Sequence, residues 1–167
     1  MKNNKQMLSM WLALSLFCPS LLLTIGCGPS NRPEGLPSLS PCTITVTQQE
    51  KPLADASVQL IPKFESPWPV TGLTDASGNA VMVTYGQFKG APLGEYTVVI
   101  TKNESKSEGN ADEYSSGITE IFSLVDVQYT KPETSTLEIT VEKKRNTKKC
   151  ELGGPVHVLV DTIRPGT

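Results

Sequence analysis

From residue 42 onward, apolar and polar side chains alternate in short stretches. In Cys42-Thr43-Ile44-Thr45-Val46-Thr47 every second residue is apolar, the period of a strand with one wet face. Ala56, Val58 and Leu60 repeat that period around Ser57 and Gln59, Tyr96, Val98 and Ile100 repeat it beside Thr97 and Thr101, and Leu137, Ile139 and Val141 repeat it around Glu138 and Thr140. Val81 with Val83, and Val156, Val158 with Val160, supply shorter candidates. After Cys27 no stretch longer than about ten residues carries apolar side chains at helical spacing. Turn-forming groups separate the candidates: Gln49-Glu50-Lys51-Pro52, Asp75-Ala76-Ser77-Gly78 and Ala91-Pro92-Leu93-Gly94. The pattern predicts an all-β fold, an antiparallel sandwich of about seven strands over residues 42–167.

The first 41 residues follow another pattern. Lys2 and Lys5 precede an almost wholly apolar stretch over residues 7–17, which reads as the charged and hydrophobic regions of an export signal. The alternative is a membrane-spanning helix, but Pro19 and Ser20 interrupt the run short of the roughly 20 apolar residues a bilayer requires. The segment Leu21-Leu22-Leu23-Thr24-Ile25-Gly26-Cys27-Gly28 then ends on a small residue directly before a cysteine, and it resembles the lipobox of bacterial lipoproteins. That resemblance implies cleavage between Gly26 and Cys27, lipidation of Cys27, and a membrane as partner through acyl chains. Two or three chains, at about 0.8 kcal/mol per buried methylene, anchor firmly where one is marginal. By the sorting rule of the lipoproteins it resembles, Gly28 in place of Asp after the cysteine implies a weak preference for the outer membrane of a bacterial envelope over the inner one. Residues 27–41, rich in Pro, Gly and Ser, read as a flexible tether with no core contacts from Pro29 to Ser40.

Composition narrows the chemistry. The chain of 167 residues holds 15 Lys+Arg against 17 Asp+Glu, and removal of residues 1–26 takes Lys2 and Lys5, leaving 13 basic against 17 acidic side chains, or -4. Such a balance lacks the basic footprint of a nucleic-acid partner. A single His gives no basis for a His-based metal site or cofactor. Cys18 falls in the signal and Cys27 goes to lipid, so Cys42 and Cys150 remain in the exported part. In an oxidising compartment a bridge between them would close a loop of about 100 residues and remove roughly 4–5 kcal/mol of unfolded-state entropy. Two unlinked buried thiols are the other reading.

Lys51-Pro52-Leu53-Ala54-Asp55-Ala56-Ser57-Val58-Gln59-Leu60, followed by Gly72-Leu73-Thr74-Asp75-Ala76-Ser77-Gly78-Asn79-Ala80, resembles the pattern of carboxypeptidase regulatory-like domains, with Asp55 where that pattern has Gly. The later Gly90-Ala91-Pro92-Leu93-Gly94-Glu95-Tyr96-Thr97-Val98 and Tyr129-Thr130-Lys131-Pro132-Glu133-Thr134 resemble planctomycete lipoproteins built on that domain. The resemblance implies a transthyretin-like sandwich with no common reaction.

The remaining chemistry-bearing residues read structurally. Asp75 is expected to accept hydrogen bonds from amides two or three residues on, with Gly78 at positive φ, closing a tight turn. A calcium loop there would need more anionic oxygen than Ala76 and Ser77 offer. Residues 103–113 are polar and mixed in charge, the composition of a mobile loop, and the adjacent Asp112 and Glu113 have nothing there to separate their pKa values for acid–base work. Alternation puts His157 on a face with Leu159 and Asp161, as a surface histidine or, less simply, a ligand. With no Gly-x-Ser-x-Gly elbow, no catalytic residue is nominated. Trp68, held between Pro67 and Pro69, either presents an indole to a sugar or peptide or lids the open end of the sandwich. The leading expectation is a non-catalytic envelope lipoprotein acting by contact. Its alternatives are a glycan- or peptide-binding lipoprotein using Trp68, Tyr85 and Phe88, and an accessory domain for a separately encoded hydrolase.

Overall fold

The computed structural model describes residues 32–108 and 118–163. Contacts divide the chain into Met1–Glu34 and Gly35–Thr167, and the fold below is that of the second unit. It is an all-β sandwich with no α-helix among the described residues. Its strands are β1 (Leu39–Ser40), β2 (Cys42–Gln48), β3 (Lys51–Pro52), β4 (Ser57–Pro62), β5 (Val70–Leu73), β6 (Asn79–Val81), β7 (Val83–Thr84) and β8 (Phe88–Lys89). They continue as β9 (Ala91–Pro92), β10 (Gly94–Thr101), β11 (Asn103–Glu108), β12 (Ile118–Ser123), β13 (Glu138–Val141), β14 (Asn146–Leu152) and β15 (Val158–Ile163). These fifteen segments exceed the seven or so expected, because residues such as Pro41, Met82, Gly90 and Leu93 interrupt what alternation alone reads as longer strands.

Two sheets enclose the core. One has the order β13-β10-β4-β5-β7-β8; in the other β2 lies between β14 on one side and β3 and β6 on the other. The alternating residues point inward as their period requires: Ile44 and Val46 of β2, Val58 and Leu60 of β4, and Tyr96, Val98 and Ile100 of β10 are all buried. Antiparallel register pairs Val98 with Leu60 and Ile100 with Val58 across β10 and β4, so these apolar rows meet on one face. One pair departs from the antiparallel expectation. β14 runs parallel to β2, with Asn146 opposite Cys42 and Cys150 opposite Val46.

Two segments expected to stand outside the fold belong to it. Leu36 is buried, and β1 pairs antiparallel with β9, so the end of the Pro/Ser-rich stretch packs on the body and the tether is shorter than expected. Burial of one leucine and two strand pairings outweigh a composition that is otherwise that of a linker. Asn103–Glu108 is a strand, not loop, pairing with β12 over six residues in a third sheet of order β11-β12-β15. Asp112 and Glu113 lie outside the described residues.

Turn chemistry follows the sequence closely. The Asp75 carboxylate accepts from the amides of Ser77 (2.8 Å) and Asn79 (2.9 Å), and Gly78 has φ +76. Val46 donates its amide to the Gly78 carbonyl at 2.8 Å, which ties this turn to the centre of β2.

Candidate functional site

The β4–β5 loop rises from Pro62 and returns at Val70, and its prolines restrain the backbone around Trp68. The Trp68 amide is donated to Ser66 Oγ at 3.3 Å. Its half-buried indole meets Tyr85 edge-on, with ring centroids 5.8 Å apart and an interplanar angle of 84°. Tyr85, in the β7–β8 turn at φ 53, donates its amide to the Pro69 carbonyl at 2.8 Å and so holds the two loops together.

Trp68 walls two shallow clefts. The larger, about 330 Å³, is lined by Phe64, Trp68, Pro92 and Leu93 with Ser38 and Glu65 among the polar groups. The second, about 240 Å³, lies against the strand edges at Ile61 and Val70. Phe64 forms the floor contact: it meets Tyr96 edge-on at 5.4 Å and lies over Gly94, where a Cβ would overlap its ring. Tyr96 is itself a core side chain whose hydroxyl donates to the Pro92 carbonyl at 2.9 Å, as a tyrosine near the end of a sandwich requires. The sequence singled out Trp68 and Tyr85 but missed the packing of Phe64 on Tyr96 at the floor of the cleft; the available signal was Gly94, a residue without a side chain opening the strand opposite. Phe88, grouped with them by sequence, lies on β8 at the far edge of its sheet.

The Cys42–Cys150 bridge does not form. Both are free buried thiols. The parallel register sets Cys150 beside Val46, four residues along β2 from Cys42, so the two Cα atoms stand about 13 Å apart, beyond the roughly 7 Å that a disulfide can span. Burial pushes each thiol up to about 11, and at neutral pH both are protonated and unreactive. Native protein is therefore expected to leave both thiols unlabelled by iodoacetamide near neutral pH, with both alkylated after unfolding. A linked 42–150 peptide in non-reducing mass mapping would overturn this.

His157 precedes β15 at the surface. Its ring stacks on Phe122 of β12 with centroids 4.1 Å apart, and its Nε2 lies 2.8 Å from Glu104 Oε1 of β11, tying the start of β15 to the other two strands of the third sheet. The face expected from alternation is not kept. Phe122 pairs with Leu159 and Ile121 with Asp161, so a bulge at Val160 turns Asp161 to the side opposite Leu159. Among the described residues no group of three His, Cys, Asp or Glu side chains could hold a metal ion. Cys27 lies outside the described residues. No family model matches the chain, nor does a curated protein or a solved structure.

Proposed function

We propose that the chain is a lipoprotein of a bacterial envelope, anchored through acyl chains on Cys27 and sorted to the outer membrane, whose sandwich works by contact and performs no reaction. The observation that carries this reading is the order of parts along the chain. An apolar segment closes on Gly26-Cys27, and nine residues later Leu36 is already packed in a filled β-sandwich. A compact body so close behind an acylated cysteine is held at the membrane surface, where a rigid scaffold presenting loops suits recognition. The carboxypeptidase regulatory-like resemblance supports the same reading, because domains of that kind share a fold without sharing a chemistry.

Cys27→Ala is expected to leave the precursor uncleaved and to abolish incorporation of a palmitate analogue. Persistent labelling of the variant would overturn the anchor. A second reading, recognition of a glycan or peptide partner, is favoured by Trp68, whose indole forms a wall of two clefts on a loop held by Tyr85.

A further inference from the structure

The aromatic end of the sandwich and the point where the chain enters it coincide. Gly35 and Ser38 line the same cleft as Phe64, Trp68 and Leu93. Leu36 is buried and β1 is paired to β9, so from Leu36 onward the chain is fixed to the body at this end. Cys27 precedes Gly35 by eight residues, which span at most about 28 Å when fully extended. A domain of this size has a radius of gyration of about 14 Å, so the tether is no longer than the body is wide. An acylated Cys27 therefore holds this end, before any other, within reach of the bilayer.

The side chains displayed there are of the kind that settle at the boundary between headgroups and acyl chains. Phe64 is 40% exposed, Leu93 45% and Tyr85 51%, with the half-buried Trp68 among them. Trp and Tyr favour that boundary because one end of each ring system is apolar and the other can remain hydrogen-bonded. Among the residues lining this cleft the one charge is the carboxylate of Glu65, the nearby Lys63 is paired with Glu138, and the processed chain carries 17 acidic against 13 basic side chains. Such a face suits a zwitterionic surface and lacks the basic cluster that an anionic one attracts. A few partly exposed rings bind a free bilayer weakly. A short tether makes that contact intramolecular, at an effective concentration in the millimolar range, so weak partitioning suffices.

We propose that the Trp68 end is a membrane-docking face, with Phe64, Trp68, Tyr85 and Leu93 resting in the headgroup layer of the bilayer that holds Cys27. The proposal rests on the anchoring of Cys27.

The processed chain supplies its own reporter. Trp11 lies in the removed segment, so Trp68 is the single tryptophan left. Processed protein isolated from membranes is reconstituted in phosphatidylcholine vesicles with and without bromine on the upper acyl chain, while mass analysis of its amino terminus reports acylation. The expected result is an acylated, floating protein whose Trp68 emission is blue-shifted and loses about half its intensity in brominated vesicles, as an indole at the interface does. Leu93→Asp, at an exposed position, is expected to float equally well and lose most of that quenching. Acylated, floating protein with unquenched Trp68 overturns the docking face and leaves the anchor standing. An amino terminus without lipid overturns the anchor and the docking face with it. Unquenched Trp68 whose emission instead shifts on adding soluble peptidoglycan fragments overturns the membrane reading and assigns this end to a glycan.

Discussion

Gly78→Ala is expected to lower the stability of the sandwich by about 3 kcal/mol, read as a lower urea midpoint at unchanged slope. Gly78 occupies the left-handed region at φ +76, which costs a residue bearing a Cβ about 1–2 kcal/mol on its own. The larger part comes from what the methyl group meets. It would overlap the Val46 carbonyl oxygen and stand 3.3 Å from both Leu53 N and Pro52 Cα, all of them backbone atoms that cannot rotate aside. That oxygen already accepts the Leu53 amide at 3.0 Å, and Val46 donates to the Gly78 carbonyl, so relief of the clash opens the hydrogen bonds on both sides of a strand whose Ile44 and Val46 are fully buried. Gly86→Ala is the internal control. It shares the conformation at φ +68 but has open space around the position, and it is expected to cost only about 1 kcal/mol. Equal midpoints for the two variants would refute the steric part of this account.

Alkaline pH is expected to weaken the fold comparably, through the same strand and its parallel neighbour. Burial raises Cys42 and Cys150 to about 11, from about 9.0 in an unfolded chain. Between those values the folded state holds protons that the unfolded state has released, so stability must fall as pH rises. The contribution is complete below about pH 9 and gone above about pH 11, and it amounts to about 2–3 kcal/mol for each thiol. Tyr96, raised to about 12 by burial and then by its proximity to Cys42, extends the same loss to higher pH. The urea midpoint of the native protein should therefore drop steeply between about pH 9 and 11, whereas Cys42→Ala with Cys150→Ala, less stable at neutral pH, should show a much flatter profile over that range. A native profile as flat as that of the double variant would sink the assignment. On the acid side the sign reverses. Hydrogen bonds from the Thr47 hydroxyl and the Glu50 amide lower the Glu151 carboxyl, so its contribution is present above the ordinary carboxylate range and is lost as pH falls.

The strands legible in the sequence are those with one buried and one wet face. β2, β4 and β13 announce themselves because Thr, Ser, Gln or Glu stands between their inward residues, and β10 does so around Thr97, although Val99 between Val98 and Ile100 is buried as well. Asn103–Glu108 carries no such mark, since Asn, Glu, Ser and Lys occupy both of its faces and the five residues from Asn103 to Ser107 are all exposed. β15 misleads in the opposite way. Its alternating valines read as a buried face, yet Val158 and Val160 are exposed together with Leu159 and Ile163, and its bulge breaks the period that placed Asp161 with His157. The cysteine pair shows a different limit: spacing along the chain tells that both residues lie near the ends of the body, whereas bridging depends on register, and a shift of four residues between parallel strands cannot be seen in composition. Of the candidate site, Trp68 and Tyr85 were legible as loop aromatics between turn residues. The proximity of Trp68 to Gly35 and Ser38 was not, because it follows from the pairing of β1 with β9, two strands of two residues each.

The parallel pairing of β2 with β14 has a consequence for how the molecule is made. Chains leave the ribosome amino terminus first, and no hairpin can supply a parallel neighbour. The strand carrying Ile44 and Val46 must therefore wait for Asn146–Leu152 before one of its edges is filled, a closure across about a hundred residues that ranks among the slow steps of folding. Until that late segment arrives, one edge of the strand at the centre of this sheet stays without a backbone partner.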